Sequence, residues 1–333
     1  MMRRNALLIG IALLFGPSPG AMTVAQSQTD GALAIETRVV SIPVTVRNEK
    51  NRLERNLRPQ DFRLYEDGRE VEIAYFALDT TPTDVILLVD ASLSVKNELS
   101  SLQEAAFEFA RKLKPNDRIS IWSFSHVVRK MLGWTSPGDD LRIAAALRSV
   151  ESGGDTSLYD AVATVLKNFD VTNHDAASQS ENRRCVVVLT DGDDTSSRTA
   201  TPDDLVREAL RTEAATYVVS RAKVMRRAIE PLMDSERVEA ETRLKLKVQF
   251  DRLKASDEIM TRLAERTGGR AIFPSQEKDL TQAYVEIAEE LHRRYNIGFS
   301  PSDGLRDEKF HRLKIETRRS GLRIWAREGY FAK

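Results

Sequence analysis

One cysteine, Cys185, stands in 333 residues. A single thiol excludes an intramolecular disulfide framework and any zinc site of the usual four-ligand kind built on cysteine. There are only four histidines, His126, His174, His292 and His311, and their spacing suits no imidazole-rich metal centre. Net charge is absent as well. Fifty Lys and Arg oppose 50 Asp and Glu, so no overall basic field marks a nucleic-acid binder. Past residue 25 no apolar run approaches the roughly 20 residues of a spanning helix. Nor does a Gly-x-Ser-x-Gly elbow, a phosphate-cradling glycine loop or a dinucleotide fingerprint follow it. The remaining balance, 41% hydrophobic and 30% charged, is that of a globular chain and not of a disordered one.

The N-terminus has the order of a secretory leader. Arg3 and Arg4 precede an apolar run, Ala6 to Phe15, which Gly16, Pro17 and Pro19 close before the small-residue site Thr23-Val24-Ala25. The run is too short for a membrane anchor. Cleavage after Ala25 is expected, so residues 1–25 are a signal peptide and the mature protein begins at Gln26. No cysteine follows the site to mark a lipoprotein. The protein is predicted to be exported, periplasmic or extracellular. Its lone thiol is expected to be buried.

Residues 26–80 read as a β segment. Val40, Ile42, Val44 and Val46 alternate with polar partners, and Pro43 points to an edge or a bulge. Glu66-Asp67-Gly68 is a turn between Phe62–Tyr65 and Val71–Tyr75, which predicts a hairpin. At about residue 84 the pattern changes. Val85–Val89 and Val186–Leu189 are continuous apolar runs, as expected of parallel strands buried on both faces. Ile119–Phe124, Tyr217–Val219 and Ala271–Phe273 add strand-like segments. Between them Leu99, Leu102, Ala106, Phe109 and Leu113 share one helical face, and helical patterns recur near 139–150 and 157–169. Strands alternating with helices predict a doubly wound, mostly parallel sheet over residues 81–294. Residues 222–256, dense in Lys, Arg and Glu, read as one long solvated helical insertion. Residues 295–333 return to β alternation at Tyr295–Phe299, Leu313–Ile315 and Leu322–Ala326. Two short β ends, each poor in core residues, gain stability by pairing. The predicted architecture is therefore an α/β domain inserted in a β-rich domain built from the N- and C-terminal segments.

Three polar clusters fall at predicted strand ends or in adjacent loops: Asp90-Ala91-Ser92-Leu93-Ser94, Gly153-Gly154-Asp155-Thr156-Ser157 and Thr190-Asp191-Gly192-Asp193-Asp194. Open α/β sheets bind ligands at this carboxyl edge. Any one cluster could be a helix cap or a turn. Together they gather carboxylates and hydroxyls without Cys or His, hard oxygen donors suited to Mg²⁺, Mn²⁺ or Ca²⁺.

This set resembles the metal-ion-dependent adhesion site of von Willebrand factor type A (VWA) domains. The resemblance implies a Rossmann-like VWA fold with Asp90, Ser92, Ser94, Thr156 and Asp191 around one divalent cation. It implies that the serines and the threonine contact the ion directly, and the aspartates directly or through water. Gly154–Ala161 is similar to the usual threonine loop and its helix. The flanks, Asp61–Gly68 with Ala74–Phe76, Tyr295–Phe299 and Arg327–Phe331, resemble the bacterial VWFA-related domain proteins. Residues 222–256 have no place in that pattern.

The resulting expectation is a cation-dependent module that binds an Asp or Glu carboxylate of a protein partner, with no nucleic acid and no membrane span in the mature chain. The alternative is an envelope structural or assembly component whose metal only stabilises the fold. An enzyme is disfavoured: a phosphatase with an aspartyl nucleophile wants a second Asp where Ser92 stands. Cys185 and the three tryptophans, Trp122, Trp134 and Trp325, are expected to pack in cores or junctions. His126 is expected at the surface.

Overall fold

The computed structural model describes residues 39–171, 182–276, 279–301 and 308–332. The expected signal peptide, the start at Gln26 and His174 lie outside them. Four strands come first: β1 (Val40–Asn48), β2 (Phe62–Glu66), β3 (Arg69–Val71) and β4 (Tyr75–Leu78). The α/β part follows with β5 (Thr83–Asp90), α1 (Leu99–Lys112), β6 (Arg118–Phe124), β7 (Val128–Thr135), α2 (Asp140–Arg148), α3 (Leu158–Val171), β8 (Arg183–Thr190), α4 (Pro202–Arg211), β9 (Ala214–Ser220), α5 (Ala222–Met233), α6 (Ala240–Arg266), β10 (Ala271–Ile272) and α7 (Asp279–Leu291). The chain closes with β11 (Tyr295–Phe299), β12 (Phe310–Thr317), β13 (Leu322–Trp325) and β14 (Gly329–Phe331).

The central sheet has the order β10-β9-β8-β5-β6-β7, parallel except for β7. Within β5 the run Val85–Val89 is apolar because alternate residues enter two covered faces. Val85, Leu87 and Val89 face Phe109 of α1 and Tyr284 of α7 in one core layer. Ile86 and Leu88 face Val162 of α3, Leu205 of α4 and Leu263 of α6 in the other. Cys185 is buried in β8, where burial pushes its thiol up to about 12, so it is packing and not a nucleophile.

Strands from both chain ends interleave. One sheet runs β13-β1-β11-β4 and the other β14-β12-β2-β3. Their shared core joins Ile42, Val44, Phe62 and Leu64 from the first end to Tyr295, Ile297, Phe299 and Leu313 from the last. Pro43 pairs with Asn296 of β11, while β13 joins β1 only from Thr45 onward. The missing N–H of Pro43 therefore faces a strand edge without a partner strand.

Two expectations are corrected. The turn at Asp67-Gly68 does form, with both residues at positive φ (48° and 82°) as a two-residue hairpin favours, but its second arm ends at Val71. Tyr75 then pairs with Gly298 in the opposite sheet. The charged stretch 222–256 is helical and largely exposed, as expected, but it is broken into two helices with a buried seam. It is α5 and the first half of α6, which pack on each other through Ala222, Ile229 and Leu253; α6 then runs on into the core at Met260 and Leu263. The sequence pattern does not announce β7. It is a half-exposed edge strand whose register with β6 shifts twice, which breaks the alternation that would announce it.

Candidate metal site

β5 ends on Asp90, which is fully buried. Its Oδ1 accepts the Ser92 N–H at 2.9 Å and its Oδ2 accepts the Thr190 hydroxyl at 2.8 Å. The chain then turns so that the Ser92 and Ser94 hydroxyls lie 2.9 Å apart, Ser92 buried and Ser94 exposed at the rim. The second loop is stitched to this one: Gly153 N–H donates to Ala91 O at 2.8 Å and Leu93 N–H to Gly154 O at 3.0 Å. Gly154 sits at φ +77°, and a Cβ there would fall 2.0 Å from His126 Nδ1. His126 is thus an exposed side chain covering a position that only glycine fits.

Thr156, also buried, is held from the third loop. Its N–H donates to Thr195 Oγ1, and its carbonyl accepts from the Thr195 and Ser196 N–H groups, each at 2.9 Å. Asp194 Oδ1 accepts the Leu158 N–H at 2.7 Å at the start of α3. Asp191 follows β8; its Oδ1 accepts the Asp193 N–H at 3.0 Å. Its Oδ2 is buried with no hydrogen-bond partner.

The electrostatics are those of a site short of positive charge. Burial and the neighbouring Asp191 push the Asp90 carboxyl up to about 7, against the bonds from Ser92 and Thr190. Burial also raises Asp191, opposed by the Ser94 hydroxyl, the Asp193 N–H and the charge of Arg221. Arg221 itself is bound to Glu98 at 3.4 Å.

The structure brings the Asp90–Ser94 loop, the Thr156 loop and Asp191 to the same end of the sheet. Among the described residues no three His, Cys, Asp or Glu side chains form a metal-ligating group. Asp90 and Asp191 bring two carboxylates here with the Asp193 charge beside them, and hydroxyls supply further oxygens. That donor set, with one bare buried carboxylate oxygen, fits a small hard cation.

Sequence reasoning passed over three contributors. Thr190 lies in the third polar cluster, but nothing in the sequence pairs it with Asp90. The parallel register that sets Val89 opposite Leu189 carries it alongside Asp90. Arg252 of α6 holds Asp193 with both Nε and Nη2, the latter at 2.8 Å from Oδ2, and the Arg221 charge acts on Asp191. Neither arginine has a local signal.

Residues 85–193, which include all five expected ligands, match the family model of the von Willebrand factor type A domain. The chain carries a VWA domain. Its VWA segment begins inside β5 and ends two residues past Asp191. No curated protein matches the chain by sequence. Among solved structures it is similar to an aerotolerance-related membrane protein from Bacteroides fragilis NCTC 9343 (16% identity, 63% of this chain and 98% of that one, TM-score 0.44). It is also similar to a von Willebrand factor type A protein from Catenulispora acidiphila (11% identity, 87% and 72%, TM-score 0.46). A third is the conserved hypothetical protein BatB from Bacteroides thetaiotaomicron (16% identity, 62% and 99%, TM-score 0.42). Among the described residues no helix is long and apolar enough to cross a membrane.

Proposed function

We propose that this protein is an exported VWA module that holds one divalent cation, Mg²⁺ by preference and otherwise Mn²⁺ or Ca²⁺, and uses it to bind an acidic side chain of a partner protein. Asp90, Ser92, Ser94, Thr156 and Asp191 are the ligand set. The observation that carries the reading is the bare, buried Oδ2 of Asp191 beside a second buried carboxylate. Such a pair is costly when both carboxylates are charged, and a cation relieves that cost where otherwise a proton must be held. Thr190 and the Ser92 N–H fix Asp90, so that carboxylate holds its place. The stitched loops hold Thr156, and the exposed Ser94 marks the side from which a partner reaches the site. Bound there, a divalent cation would supply a positive centre with an open position for a carboxylate oxygen.

VWA domains are in general protein-interaction modules, and we read this one as a binding protein and not an enzyme. The competing reading, an envelope component whose metal only stabilises the fold, is separated by one experiment. Binding to an envelope extract is measured in Mg²⁺ and after chelation, for wild type and Thr156→Ala. Binding lost on chelation and absent in Thr156→Ala is the expected outcome. Binding unaffected by chelation, with a melting temperature that drops, would favour the structural role.

A further inference from the structure

At the opposite end of the central sheet lies a second polar site. Arg183 begins β8 and Asp191 follows its end, so the two sites are about 25 Å apart at ~3.3 Å per residue. There a cavity of about 280 Å³ opens between the α/β part and the β sandwich. Its walls include Arg183, Arg184, Arg294, Arg327 and Glu213. At about 30 Å³ per water, it has room for a phosphate-sized anion and several waters.

Arg294 decides the chemistry. It joins α7 to β11, is 3% exposed, and its Nε and Nη2 are buried without an acceptor. Nearby carboxylates make their hydrogen bonds to other groups, although against its burial Tyr217 and the Asp79 and Glu290 charges hold Arg294 above the ordinary guanidinium value. Glu290, one helical turn earlier, accepts from Arg47 Nη2 (2.7 Å) and Arg270 Nε (2.8 Å) on one oxygen and from the Tyr217 hydroxyl (2.9 Å) on the other. Asp79 takes Arg183 Nε at 2.9 Å, and Glu213 takes Arg327 Nη1 at 2.6 Å. Arg327 Nε is also buried without an acceptor. The arginines crowd one another: burial, together with the Arg294 and Arg327 charges, holds Arg183 below the ordinary guanidinium value even with Asp79 beside it. Buried guanidinium donors without acceptors are costly, and fixed planar forks match the oxygens of a phosphate group.

We propose that this cavity binds a small doubly charged phosphate-class oxyanion, either free phosphate or the terminal group of a phosphomonoester, with Arg294 as its central ligand and Arg327 and Arg184 beside it. The site is independent of the metal site.

The test is calorimetric titration of the full chain with inorganic phosphate, glycerol phosphate and succinate in excess chloride. Wild type is expected to bind phosphate saturably. Arg294→Met should weaken it by about tenfold or more, as loss of a charged bidentate partner does, while melting no lower than wild type in phosphate-free buffer. Arg184→Gln, which spares the buried arginine, should weaken it about threefold or more and carries the test if Arg294→Met does not fold. Tighter binding of glycerol phosphate would make the ester the source, and weaker binding would make it free phosphate. The proposal is overturned if wild type shows no saturable phosphate binding, if a folded Arg294→Met binds equally well, or if succinate binds as tightly as phosphate.

Discussion

Thr190 Oγ1 donates to Asp90 Oδ2 at 2.8 Å, across the ends of two neighbouring parallel strands. With the Ser92 N–H on its other oxygen, Asp90 is satisfied by the protein, whereas Asp191 keeps one oxygen bare. The two carboxylates therefore differ: Asp90 organises the first loop, and Asp191 keeps a buried oxygen without a hydrogen-bond partner. Thr190→Val keeps the branched shape and removes the donor to a buried carboxylate together with the acceptor of the Gly192 N–H at 3.0 Å. It should cost about 1–3 kcal/mol in urea unfolding without metal and weaken divalent-cation binding. An unchanged unfolding midpoint would show that the bond is not needed.

Asp90 also sets a pH dependence. Its folded carboxyl titrates at about 7 against an ordinary 3.8, so between those values the folded chain holds a proton that the unfolded chain has released. The stability that Asp90 contributes thus falls as pH rises through that window. In metal-free urea titrations, wild-type stability minus that of Asp90→Asn should decline from about pH 4 to about pH 7. Mg²⁺ should flatten the decline. A difference that is constant or rising would be evidence against the buried carboxylate pair.

Gly154→Ala meets two obstacles, a positive φ and the His126 ring. The backbone part alone should cost about 1–2 kcal/mol. Pairing it with His126→Ala should recover the contact part and leave the backbone part. Full recovery in the double variant, measured by thermal unfolding, would mean that the left-handed backbone is not required there.

Arg47 of β1 binds Glu290 of α7 at 2.7 Å, both side chains buried, and so fastens the sandwich to the α/β part. Burial works against the charged form of Glu290, yet Arg270 and Arg47 hold its carboxyl below the usual range. Arg47→Ala leaves Arg270 as the remaining partner and should still cost about 3 kcal/mol. A loss well under 1 kcal/mol in urea unfolding would argue that the pair is incidental.

What could be read from sequence was local. Val85–Val89 and Val186–Leu189 announce buried strands because both faces are covered, and the five proposed ligands lie in short motifs directly after strands or before a helix. What could not be read depends on pairing between distant segments. Thr190 acquires its role from the β5–β8 register. Arg252 reaches Asp193 only once α6 folds back over the sheet edge. The charged stretch looked uniformly solvated because the burial of Leu253, Ser256 and Asp257 depends on α5 and β9 beside it. The Arg294 cavity draws its walls from segments that lie far apart in the chain.

The central claim is that Asp90, Ser92, Ser94, Thr156 and Asp191 hold one divalent cation. It is tested most directly by calorimetric titration of Mg²⁺ and Mn²⁺ into metal-free wild type, Thr156→Ala and Asp191→Ala, with circular dichroism to confirm the fold. The expected result is a single saturable site in wild type that is lost in both variants while they remain folded. Folded wild type that binds no divalent cation at millimolar concentration would contradict the account, and equal binding by Asp191→Ala would remove this site from it.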